Sequence, residues 1–333
     1  MFRRIERGFR AAAVLLRPAR SDPARVVESR PAGSGLDLYM PARPRRRGLV
    51  VVQGMSLAGE RDPRLVRLAR SFAAAGFSVA APALPGLKSC REDVRDLSSV
   101  QEAVAALRAA CGGPVGVVAF SFGAGVALTA VADGSMRGTA DPILLMGPYH
   151  SLEDLWRSWP DRESEPRTDA EWDDFIYIRM ALAWRMRDDL PLAPSERERL
   201  GEILLGYCDA PAVETKRGFY REVLRRPEIR SGLRRAPDPE TLRALSPCGK
   251  LSRLRSRVMI VHDLHDGTIP CSHSEKIFAE LKARRPVGEQ RLLVTPILSH
   301  VEARSLWRID HAIRIADMFG EFWGSECAAG ERA

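Results

Sequence analysis

The stretch Ala119-Phe-Ser-Phe-Gly123 holds the side chain best placed for covalent chemistry, the hydroxyl of Ser121. A serine becomes a useful nucleophile when a tight strand-to-helix turn lifts its hydroxyl clear and a neighbouring base takes its proton. The turn strains the backbone and lets strand and helix pass closely, so small residues are needed two positions before and two after. Ala119 and Gly123 meet that need. The helix N-terminus places positive potential under the hydroxyl, and the backbone N–H of Phe122 faces the site where an oxyanion would develop. The chemistry this implies is attack on an acyl carbonyl. Other chemistries lack their signatures. The chain has no G-x-x-x-x-G-K-[ST] sequence, and no G-x-G-x-x-G follows its first buried strand. Its six histidines show no H-E-x-x-H spacing, and its six cysteines form no C-x-x-C pair. No metal or cofactor is expected.

The elements that must carry Ser121 can be read around it. Leu36 to Met40, ended by Pro41, reads as an early strand. Leu49 to Val52 and Val115 to Phe120 are short continuous apolar runs, the mark of strands buried on both faces. Phe77 to Ala81 and Pro142 to Met146 add two more. Between them lie helical periods. One starts at Asp62-Pro63, a capping carboxylate before proline, and stops at Gly76. Another runs from Val94 to Ala110, and a small-residue helix from Gly123 to Asp133. Strands alternating with helices through short connections predict a mainly parallel sheet covered on both faces.

The alternation lapses from Ser151 to Ser246, which reads as an inserted set of helices. Trp172, Phe175, Ile176, Leu182 and Met186 mark one, Ser195 with Glu198 resembles a capping box before another, and Asp238-Pro239 starts a third. The strand pattern resumes at Arg257 to Val261 and Arg291 to Pro296, with helices from Ser274 to Arg284 and Leu306 to Trp323. The expected organisation is a basic amphipathic segment over 1–23, a first core part over 24–150, a helical lid over 151–246, and a second core part over 247–333.

With the serine on a strand-turn-helix in this setting, the chain resembles the α/β-hydrolase superfamily from about Leu36 to Trp323, outside the insertion. The resemblance implies an α/β fold with a mainly parallel central sheet, helices on both faces and an inserted lid. It also implies a triad in the order serine, acid, histidine. The acid falls on Asp266, in the loop after the strand Arg257 to Val261, with Asp263 as the alternative. The base falls on His300, after the strand at Leu292. The second oxyanion donor falls on the backbone N–H of Met55. Relatives often read His-Gly-X there, and this chain reads Gln53-Gly54-Met55. Gln53, Gly54, His150 and Trp156 are expected around a small acyl substrate. Most aromatic residues of the lid are expected to hold its helices together. The implied activity is cleavage of a carboxylic ester or related acyl bond. An inactive binding or scaffold protein and an acyltransferase on the same fold stand as alternatives.

The totals agree with a globular chain: 333 residues, 45% hydrophobic and 28% charged. The formal net charge is +8, but arginines are spread along the chain. Arg45-Arg46-Arg47 reads as a solvated turn without interleaved aromatics, so no nucleic-acid partner is expected. Scattered cysteines fit a reducing, cytoplasmic setting. Phe2, Ile5, Phe9, Ala13 and Leu16 recur at helical spacing among arginines, and a helix of this kind can lie weakly on an anionic membrane surface.

Overall fold

In the computed structural model, residues 26–29, 35–42, 47–113, 115–136, 138–159, 169–206, 213–283, 289–303 and 309–324 are described. The N-terminal segment over 1–23, Arg45, Arg46 and the expected helix start at Leu306 lie outside them. The first strands are β1 (Val26–Ser29), β2 (Leu36–Pro41) and β3 (Gly48–Val52). Helix α1 (Pro63–Ala74), strand β4 (Ser78–Pro82) and helix α2 (Arg95–Cys111) follow, then β5 (Val115–Phe120), α3 (Ser121–Ala132) and β6 (Ala140–Met146). The sheet order is β1-β2-β4-β3-β5-β6, continued by β7 (Val258–Asp263) and β8 (Gln290–Thr295). Strands β3 to β8 run parallel, while β2 is antiparallel to β1 and β4.

The apolar runs explain this layering. All of β3 is buried, and its side chains alternate between two cores. Val50 and Val52 pack on the face covered by α2 and α3, while Leu49 and Val51 pack on the face covered by α1 and the last helix, α11 (Ile309–Gly324). Every residue of α3 is buried, because it is sandwiched on all sides; its sequence is accordingly apolar all round. The carboxylate of Asp62 accepts from the Arg64 N–H at 2.9 Å and starts α1 as expected.

Between β6 and β7 lie α4 (Leu152–Ser158), α5 (Asp169–Arg185), α6 (Pro194–Leu205), α7 (Val213–Phe219), a turn of π-helix over Tyr220–Leu224, α8 (Pro227–Leu233) and α9 (Pro239–Leu245). Helix α6 begins two residues earlier than the Ser195–Glu198 box implies. Pro194 takes its first position, and Glu196 rather than Glu198 reaches back to the Ala193 N–H at 2.8 Å. Trp172 and Phe175 stack edge-on against Tyr220 at 5.8 and 5.3 Å, holding this set of helices together. The hydroxyl of Tyr149 donates to the Leu245 carbonyl at 2.9 Å and ties its return to the core. Helix α10 (Ser272–Ala283) follows β7, and a hairpin of β9 (Leu298–Ser299) and β10 (Glu302–Ala303) follows β8. Among the described residues, no helix is long and apolar enough to cross a membrane.

Candidate active site

Ser121 sits where β5 ends and α3 begins, with φ at +52°, the strained conformation that a nucleophile turn demands. Glycine two residues later is obligatory: a Cβ at Gly123 would stand 1.8 Å from the carbonyl oxygen of Gln53. The turn is therefore wedged against the loop after β3. Gly54 of that loop packs on Ser121 itself, its ideal Cβ lying 3.6 Å from Oγ.

His300 occupies the turn of the β9–β10 hairpin, also at positive φ, +56°. Its Nε2 lies 2.6 Å from Ser121 Oγ, and its Nδ1 lies 2.6 Å from Asp266 Oδ2. A carboxylate only accepts, so Nδ1 carries the proton and Nε2 accepts from the serine hydroxyl. The three side chains form one hydrogen-bonded chain. The other oxygen of Asp266 accepts from the Thr268 and Ile269 N–H groups, each at 2.8 Å. Asp263 does a different job from the alternative acid of the sequence reading. Its carboxylate accepts from the His300 backbone N–H at 3.1 Å and so fixes the hairpin turn rather than the imidazole.

Burial by itself would raise the Asp266 carboxyl, but His300 and His262 hold it well below the usual carboxylate range. Burial would lower His300, yet the charge and hydrogen bond of Asp266, with Asp174 and Asp263 nearby, carry it above its ordinary value of 6.5. His262 is fully buried behind the acid. Its Nε2 lies 2.8 Å from the Ile269 carbonyl, which can only accept, so that nitrogen bears the proton. It also stands 3.3 Å from Asp266 Oδ2, and Nδ1 accepts from the Ser274 hydroxyl.

Among the described residues the backbone N–H of Met55 donates to no other backbone group. Phe122 lies in the first turn of α3, where such groups have no intrahelical partner. An apolar cavity adjoins these two residues. Met55, Phe122, Trp156, Trp159 and Tyr177 line it, and Arg91, Glu92 and Arg185 add a polar portion.

Of the four expected substrate contacts only Trp156 lines the cavity; Gly54 packs on Ser121, and two fall elsewhere. The side chain of Gln53 is buried, with neither amide atom hydrogen-bonded among the described residues, and it does not line the cavity. The ring of His150 does not line it either, because Nε2 is drawn to Glu280 Oε2 at 3.0 Å.

Helix α5 supplies contacts that the sequence did not announce. Asp174 accepts from the Gly267 N–H at 3.1 Å and from the Thr268 hydroxyl at 3.3 Å, beside the acid loop. Burial pushes its carboxyl up to about 6, with His300 pulling it down and Asp266 pushing it up. One turn on, Tyr177 donates to the Met55 carbonyl at 2.5 Å. Trp159, just after α4, donates its indole N–H to the Thr268 carbonyl at 2.9 Å. Three side chains of the insertion thus hold the loops after β3 and β7 by their backbones. Removing only the hydroxyl, in Tyr177→Phe, is expected to slow the reaction of Ser121 with a small serine-directed electrophile about tenfold, as measured by the rate of covalent labelling.

Neither the family models nor the curated proteins compared with this chain match it. Solved structures do. Lipase A of Candida antarctica in its closed state is similar with a TM-score of 0.50 and 17% identity, over 84% of this chain and 73% of that one. The eight-stranded, mostly parallel sheet with Ser121 at its β5–α3 turn agrees with that likeness. This chain has the α/β-hydrolase fold. A 2-hydroxy-6-oxo-6-phenylhexa-2,4-dienoate hydrolase from Rhodococcus sp. strain RHA1 gives a TM-score of 0.49 at 20% identity, over 90% of this chain and 98% of that one. An acylaminoacyl peptidase of Pyrococcus horikoshii gives 0.46 at 12%, over 90% of this chain and 40% of that one. The chain spans about two fifths of that peptidase's length.

Proposed function

We propose that the protein is a serine hydrolase that cleaves a carboxylic ester or related acyl bond through an acyl-enzyme. The observation that carries this reading is the unbroken chain of 2.6 Å contacts from Ser121 through His300 to Asp266. His300 takes the proton of Ser121 as Oγ attacks the acyl carbon. The N–H groups of Met55 and Phe122 hold the negative charge on the former carbonyl oxygen. His300 then protonates the leaving group, and the acyl group remains on Ser121. Water enters, His300 deprotonates it, and the carboxylic acid departs. Asp266 keeps the imidazole in the tautomer that makes Nε2 the acceptor and stabilises the imidazolium. The aromatic wall of the cavity suits an apolar acyl arm. A small-molecule substrate is proposed, acted on by a cytoplasmic protein.

Labelling of the purified protein by a fluorophosphonate tests the reading, because only an activated serine reacts. Stoichiometric labelling at Ser121 is expected; an unlabelled protein sinks the proposal. The pH dependence follows from His300. The base must be neutral, and its protonated form is favoured by Asp266, so labelling and kcat/KM fall as the pH drops through a midpoint above 6.5. A midpoint below that value would contradict the arrangement.

A further inference from the structure

Three metal-ligating side chains converge where the insertion returns to the core. His150 follows β6, Cys248 follows α9, and Glu280 lies on α10. A ring nitrogen, Sγ and a carboxylate oxygen of the three all lie within 4.8 Å of one another. We propose that they bind a zinc-class divalent cation, with water completing its shell, and that the ion clips the end of the insertion to the core.

Geometry and donor type both point this way. Zinc bonds of about 2.0–2.2 Å to nitrogen and oxygen place tetrahedral neighbours roughly 3.3 Å apart. His150 Nε2 and Glu280 Oε2 stand at 3.0 Å, so an ion can enter between them with small side-chain adjustments. Imidazole, thiolate and carboxylate together suit zinc; magnesium and calcium prefer all-oxygen sites. Cys248 is exposed and gives the ion a route in.

The ligands are also held in place by groups outside the cluster. Glu280 accepts from the Gly249 N–H at 3.1 Å and the Leu251 N–H at 3.0 Å. The Cys248 N–H donates to the His150 carbonyl at 3.1 Å, and the His150 N–H donates to His273 Nδ1 at 3.1 Å. Such fixed partners orient a ligand before the metal arrives. On binding, the proton that Nε2 turns toward Oε2 moves to Nδ1, which frees the Nε2 lone pair for the ion, and the thiol releases its proton to solvent.

The test uses the full chain freed of metal by a chelator and titrated with Co²⁺. One equivalent is expected to bind with a thiolate-to-cobalt charge-transfer absorption, and Zn²⁺ is expected to displace it. Cys248→Ser should lose that absorption and bind Zn²⁺ at least tenfold more weakly, while hydrolysing a small ester at the wild-type rate. Zn²⁺ should raise the melting temperature of the wild type and not of the variant. His150→Gln serves as a second ligand deletion with the same expected losses. Absence of the absorption in the wild type overturns the site. Equal absorption and affinity in Cys248→Ser overturns it too, since another cysteine would then be the ligand. The absorption, affinity and melting readouts do not depend on the hydrolase reading.

Discussion

Ser121→Ala is expected to lower kcat on a small activated ester by roughly a millionfold and to abolish fluorophosphonate labelling. The argument rests on what the substitution removes and what it leaves. Only Oγ is lost, and with it the 2.6 Å contact to His300 Nε2. Alanine has the same Cβ as serine, so the cost of holding φ at +52° is unchanged and the turn should keep its shape. The melting temperature should therefore stay near that of the wild type, separating lost chemistry from lost fold. Residual rate above water, from the Met55 and Phe122 N–H groups alone, is expected to be small. A variant within tenfold of wild-type activity would mean that another group attacks the substrate.

Asp266→Asn is expected to cost about ten-thousandfold in kcat. The amide oxygen can still accept from Thr268 and Ile269, so the loop retains its 2.8 Å anchors. The amide N–H₂ then faces His300 and turns the imidazole toward the tautomer with its proton on Nε2, which cannot accept from Ser121. Loss of the carboxylate also removes the main influence that carries His300 above 6.5, so the acid limb of kcat/KM should move to lower pH. A merely structural aspartate would not move that limb. Asp263→Asn is the control. Its carboxylate meets the backbone of residue 300, so a weaker effect is expected, and the pH limb should shift less.

Much of this was legible in the sequence because buried parallel strands write themselves as unbroken apolar runs. Val115 to Phe120 was read to the residue, and Asp62-Pro63 and Asp238-Pro239 mark helix starts because their capping chemistry is local. Ser121, Asp266 and His300, which form one hydrogen-bonded chain, could be singled out because each follows a strand closely, in the order the resemblance implies. The edge strand Val26–Ser29 escaped: it is four residues long and mostly exposed, so it has no apolar run to show. The hairpin that carries His300 has only two residues per strand. Asp174 and Tyr177 escaped for a different reason. Their partners are loops remote in the chain, met through backbone atoms and, for Asp174, also the Thr268 hydroxyl, and backbone atoms leave no mark on residue type. His150 was expected at the cavity, since nothing near it in sequence reveals the pull of Glu280.

The grip of α5 on two loops at once has a consequence for how variants of this protein will behave. Damage to the insertion should register as a turnover defect even when no altered residue touches substrate. A survey of inactive variants would scatter along α5 and draw a map of the reactive centre larger than the centre itself. Comparing chemical modification of Ser121 with turnover would redraw the boundary: residues that merely brace the loops slow both, whereas those that only admit substrate spare a small reagent.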